Sequence, residues 1–181
     1  MKLPKYKYLL TYRYAEVVHD LTEEFCRQFL PGRENLRLRE QMRSAARSNK
    51  QNIVEGVSQQ TSLKGQIKLL GVAQASTEEL VADYEDFLRQ RHLTIWEKSE
   101  NRVKIYRQLG WEATSCYPPK ILKLLKELRR GPEEAGNLML TLTHQLSFLL
   151  TRQIRAAEKK FIEKGGWSEN LFRKRISFRR K

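Results

Sequence analysis

The chain has 181 residues, with 35 Lys and Arg against 21 Asp and Glu, a formal charge of +14. That length buries a real core without promising two domains. The charge excess repels itself and points to a polyanionic partner, a bias shared by nucleic-acid accessory factors and membrane-surface proteins. Cys26 and Cys116 are too few and too far apart for a disulfide framework. From Met1 to Leu10, Lys2, Lys5 and Lys7 interrupt any apolar run, so neither a signal peptide nor a membrane span is expected there. A cytoplasmic protein that stays out of the membrane fits these features.

Glycine and proline are sparse and fall where helices would end. Tyr14, Val17, Val18, Leu21, Phe25 and Phe29 recur at steps of three and four, which predicts a helix over about 10–30 that stops at Pro31-Gly32. A second helix is expected over about 36–56, with Leu38, Met42, Ala45, Ala46, Asn49 and Ile53 on one face and Gly56 as a left-handed stop. The third opens with Ser62 as a cap and runs over about 62–91. Its two apolar rows, one through Leu63, Ile67, Leu70, Thr77, Val81, Tyr84 and Leu88 and one through Leu69, Ala73, Ser76, Leu80 and Phe87, suit contact with two neighbours. Residues 93–131 read as a connector with short helices near 100–109 and 119–129. Gly131-Pro132-Glu133-Glu134 then starts a long helix over about 132–164, closed by Gly165-Gly166. Strand signals are nearly absent. The expected fold is all-α: an antiparallel up-and-down four-helix bundle over 1–166, with short extra helices in the connector before the last long helix, followed by a basic C-terminal tail over 167–181 that is mobile until bound.

Three stretches carry a likeness. Gln41-Met42-Arg43-Ser44-Ala45-Ala46-Arg47-Ser48 with Asn52-Ile53-Val54-Glu55-Gly56 resembles the signature of the bacterial four-helix-bundle family, which includes the ribosomal-RNA intervening-sequence proteins. Gly71-Val72-Ala73-Gln74-Ala75-Ser76 before Glu79-Leu80 agrees with it. The segment with His144-Gln145, Leu149-Leu150, Arg152-Gln153, Glu158, Phe161 and Gly165-Gly166-Trp167 resembles the suffix domain of one branch. The resemblance implies a compact bundle, a homo-oligomer assembled as a ring-like pentamer, and no enzymatic activity. A relative, the accessory variability protein of diversity-generating retroelements, binds nucleic acid through basic surface and works with a reverse transcriptase, which is the protein partner the likeness implies. Where many members have a proline in the helix-two motif, this chain has Lys50.

Arg39, Arg43, Arg47 and Lys50 recur at four, four and three, so they share one strip of helix two. Such a strip can follow a phosphate backbone, or lie as a solvated face paired with carboxylates, or dock a neighbouring subunit. Glu79, Asp83 and Asp86, expected on the side of helix three opposite its apolar rows, are the matching receptors for a subunit contact, to which Asn52 and Glu55 would add. Asn49 and Asn52 fall on the buried side of helix two, where an unpartnered amide costs about 1–3 kcal/mol. The tail offers the densest charge, Arg173, Lys174, Arg175, Arg179, Arg180 and Lys181 interleaved with Phe172 and Phe178, a composition suited first to single strands whose bases stack and whose phosphates pair, and otherwise to an anionic membrane surface or to solubilising the chain with no partner. Lys123, Lys126, Arg129 and Arg130 extend the same surface.

Catalysis finds no comparable pattern. His19, His92 and His144 stand apart from each other and from both cysteines, and no phosphate-cradling loop, nucleophile elbow or dinucleotide fingerprint occurs. No cofactor, metal or enzymatic activity is expected. The leading reading is a nucleic-acid-binding accessory factor, RNA or DNA; the alternative is a scaffold that binds a protein through its helices.

Overall fold

The computed structural model describes residues 3–59 and 62–179. It is all-helical, with no strand among the described residues. After a short 3-10 turn at Lys5–Tyr8 come α1 (Leu10–Phe29), α2 (Leu36–Ser58), α3 (Leu63–Gln90), α4 (Asn101–Thr114), α5 (Leu122–Leu128), α6 (Pro132–Lys164) and α7 (Trp167–Arg179).

The four longest helices pack in a closed circuit, α1 on α2, α2 on α3, α3 on α6 and α6 on α1. At three of these seams, contacts pair residues in opposite numerical order. Glu23 and Leu30 of the first hairpin face Arg43 and Arg39. Between α2 and α3, Gln41 faces Asp83 and Asn49 faces Thr77. Between α3 and α6, Gln74 bonds Ser147 at 2.8 Å, while Leu88 packs on Gly136 so closely that an added Cβ would sit 2.6 Å from its Cδ2. At the centre Phe25 meets Tyr84 and Phe87 edge-on, with ring centroids 5.1 and 4.7 Å apart. The buried Tyr84 hydroxyl pairs with Thr22 Oγ1 at 2.8 Å, so its polar end is satisfied.

Helix starts follow the local chemistry. Ser62 caps α3 by accepting from the Gly65 amide at 2.9 Å, and Pro132 opens α6 with Glu133 and Glu134 in its first turn. The loop before α4 is tied to that turn, because the Trp96 amide donates to Asn137 Oδ1 at 2.8 Å and the Trp96 indole to Glu133 at 2.9 Å. Both α4 and α5 lie against α6 and also touch α1.

Three expectations need correction. Gly56 is not a stop: α2 continues to Ser58, and Gly56 is buried within it, where an added Cβ would come 3.4 Å from the Gln66 carbonyl of α3. The connector helices span Asn101–Thr114 and Leu122–Leu128, the first longer and the second shorter than expected. The tail is helical over Trp167–Arg179, because Gly165 (φ 67°) turns the chain and a new run of helix-forming residues follows. At the end of α3, His92 takes the left-handed conformation (φ 54°) that a glycine usually supplies.

Truncating Phe25 to Ala is expected to lower the unfolding free energy by about 3–5 kcal/mol. By contrast, Gly71→Ala, where the new Cβ meets nothing within 4 Å, is expected to raise it by about 0.5–1 kcal/mol. Urea titration of both variants checks the pair.

Candidate nucleic-acid interface

The four cations of α2 do not form a free strip. Arg39 donates to the Leu30 carbonyl at 2.8 Å and reaches the Gly32 carbonyl at 3.4 Å, closing the end of α1 where the helix dipole favours a cation. Arg43 stands 2.9 Å from Glu23 of α1, an ion pair without hydrogen-bond geometry. Lys50 Nζ lies 3.2 Å from His19 Nδ1. Arg47 alone is exposed and takes part in no ion pair among the described residues. The strip therefore runs along the α1–α2 seam and is largely engaged there, the paired face weighed beside the phosphate reading.

The connector cations divide in the same way. Lys123 pairs with Glu112 at 3.0 Å, Arg129 with Glu24 at 3.1 Å and Arg130 with Glu127 at 2.9 Å. Lys123–Glu112 is an exposed pair, worth under about 1 kcal/mol and open to exchange for phosphate, while Arg129 and Arg130 hold the half-buried Glu24 and Glu127. Lys126 is exposed and outside every ion pair of the described residues.

On α7 the picture reverses. Arg173, Lys174, Arg175 and Arg179 are all exposed, none enters an ion pair among the described residues, and the helix buries no residue at all. Phe172 (64 % exposed) and Phe178 (82 %) stand among them. Arg180 and Lys181 lie outside the described residues.

The acidic residues of α3 do not form one outward row. Asp86 pairs with Arg89 at 2.8 Å and Glu79 is exposed, but Asp83 is buried and accepts from Gln41 Nε2 of α2 at 3.2 Å, its other oxygen without a partner. Its place next to the buried Tyr84 and one turn after the buried Leu80 puts it on the edge of α3 that meets α2. Asp83 therefore cannot serve as an outward receptor for a neighbouring subunit. Asn52 is half-buried and turns its amide back to the Ser48 carbonyl at 2.9 Å, and Glu55 is exposed beside it. Asn49 is buried and donates across to the Ala73 carbonyl at 2.9 Å and to the Thr77 hydroxyl.

One feature escaped sequence reasoning. A groove of about 930 Å³ opens between α3, α4 and α6, with Trp111, Phe148, Ile95 and Leu140 on its walls and Lys98, Arg107, Glu85 and His144 among them. Trp111 is 54 % and Phe148 61 % exposed, far more than packing alone would leave. Burial and the nearby Lys98 lower the His144 pKa, which favours its neutral form. Burial pushes the Cys26 thiol up to about 12, and no cluster of three or more His, Cys, Asp or Glu that could hold a metal occurs among the described residues. No helix of the described residues is long and apolar enough to cross a membrane.

Burial, with Glu79 and Asp86 adding to it, pushes the Asp83 carboxyl up from 3.8 to about 6. The fold thus favours the protonated form, and the stability this brings is full below the unfolded pKa and is lost as the pH rises through the folded one. Asp83→Asn, neutral at every pH, is expected to gain on the parent by up to about 3 kcal/mol between roughly pH 4 and pH 7. Urea titrations at the two pH values measure the gain, and a margin that does not change with pH would contradict it.

No family model matches the chain, no curated protein matches it, and no solved structure matches it.

Proposed function

We propose that this chain is a non-enzymatic, homo-oligomeric nucleic-acid-binding protein whose helices form an antiparallel up-and-down four-helix bundle carrying a cationic reading arm. The observation that carries the reading is α7: an exposed helix with Arg173, Lys174, Arg175 and Arg179 outside every ion pair of the described residues and with Phe172 and Phe178 interleaved. Cations held on a helix track phosphates, and exposed aromatic rings stack on unpaired bases. Arg47 and Lys126 add charge elsewhere on the surface. Joining several copies adds weak contacts into useful affinity. The circuit α1–α2–α3–α6, with numbers running in opposite senses at the α1–α2, α2–α3 and α3–α6 seams, supports the up-and-down arrangement. A reverse transcriptase is the protein such an arm would serve, a role that rests on the family likeness alone.

The scaffold reading draws on the open apolar groove, since exposed Trp and Phe in a concave wall mark contact with protein. Salt separates the two. Four phosphate contacts on a single strand give a slope of about −3 in log affinity against log salt, a roughly fiftyfold loss between about 50 and 200 mM. Fluorescence anisotropy of a labelled single-stranded oligonucleotide is expected to show this loss. Reversing Arg173 and Arg179 to Glu is expected to weaken binding at least tenfold, while an unchanged isotherm in the variant would remove α7 from the interface.

A further inference from the structure

We infer that the groove between α3, α4 and α6 receives helix α7 of a second copy of this chain. The inference rests on the self-association proposed above and names the parts that meet. Two unpartnered surfaces on the same molecule motivate it. The groove leaves Trp111 and Phe148 more than half exposed, and α7 leaves Trp167 51 %, Leu171 50 % and Phe178 82 % exposed.

The two surfaces match in length and pattern. At about 100° per residue, Trp167, Leu171 and Phe178 fall within about 40° of one another, one narrow apolar row down the helix. The 13 residues of α7 extend over about 20 Å, and the groove follows α6 from Asn137 to Leu149 over about 18 Å. A helix laid along it sets its row against Ile95, Trp111 and Phe148, the helix-in-groove mode in which anchors recur every one or two turns.

The occupant must come from another copy. Along α6 the distance from Lys164 back to Leu149, the nearest groove residue, is about 22 Å. Folded back on its own α6, α7 would end before the groove begins. Charge is divided between the edges of the groove. Lys174 stands in the same row between Leu171 and Phe178, with Arg175 about 60° to one side, and the α3 rim offers them Glu85 together with Glu78, which accepts from the groove's Ser147 at 2.7 Å. Lys98 and Arg107 stand on the opposite side, so the rim is acidic on one edge only and orients the incoming helix. Arg173, Arg179 and Phe172 lie on the far side of the docked row and stay free for phosphate and bases. Such a contact joins unlike surfaces, so it closes either as a reciprocal pair or as a ring.

The test uses the full chain and reads mass by sedimentation, with far-ultraviolet dichroism confirming the fold. The parent is expected to associate. A guest-side variant, Trp167→Ser with Leu171→Ser, alters only exposed residues outside the nucleic-acid set and is expected to raise the dissociation constant at least tenfold. A host-side variant, Phe148→Asp, is expected to do the same from the groove. Mixing the two variants restores one intact groove and one intact helix per pair, so a mixed species is expected where each variant alone is dissociated. Should both variants assemble like the parent, the docking is wrong while self-association stands. A parent that sediments as a monomer removes both ideas, and oligonucleotide binding measured on the same samples shows whether the nucleic-acid reading survives on its own.

Discussion

The seam between α2 and α3 sets the rest of the molecule. Ala45, Ala46 and Gly56 on one side and Ala73 and Ser76 on the other are small and buried, so the two backbones come close enough for side chains of one to reach the main chain of the other. Asn49 uses that approach to donate to the Ala73 carbonyl at 2.9 Å, and Ser48 meets Ser76 at 2.9 Å one turn away. Sliding α3 by one residue would leave a buried amide without partners, at a cost of about 1–3 kcal/mol. The polar contacts thus select one register out of several that the apolar rows alone would permit. With α3 fixed on α2 through Ala73 and Ser76 of its second row, Leu88 of its first row meets Gly136 of α6.

The cations separate into two populations with different work. One set closes helix ends. Arg39 covers the end of α1, and Arg13 donates to the Thr114 and Ser115 carbonyls at 2.8 and 3.0 Å and to the Tyr8 carbonyl at 2.8 Å, holding the end of α4 against α1. There a positive charge meets the negative pole of a helix and satisfies carbonyls that would otherwise lack donors. The other set is displayed, and it concentrates on α7, distant from the core whose stability its mutual repulsion would lower.

Helix spans were legible in the sequence because each long helix has an apolar row with a period near 3.6, and chain breaks at Pro31-Gly32 and Gly131-Pro132 mark two of the junctions. Ser62 was legible as a cap for the same reason that it works as one. Gly56 misled, since a glycine near a helix end signals a stop and a glycine under a crossing helix signals close approach, and the two look alike in one dimension. Arg39, Arg43 and Lys50 find their partners at Leu30, Glu23 and His19, 9 to 31 residues away in sequence, where no periodicity can point. Asp83 was misplaced by one helical edge, about the angular width separating a rim position from a buried one. The groove had no linear signal at all: its walls come from α3, the loop before α4, α4 and α6, and only their packing leaves Trp111 and Phe148 facing an opening.

The junction at Gly165-Gly166 gives the two parts of the chain separate fates under mutation. No residue of α7 is buried, so exchanges there that keep it helical leave the folding equilibrium of the remaining chain nearly untouched. A change in Asn49 or Ala73, by contrast, is felt by every helix in the circuit. Selection can therefore retune what the arm touches, through its charge, its rings or its length, on a scaffold that need not move in step.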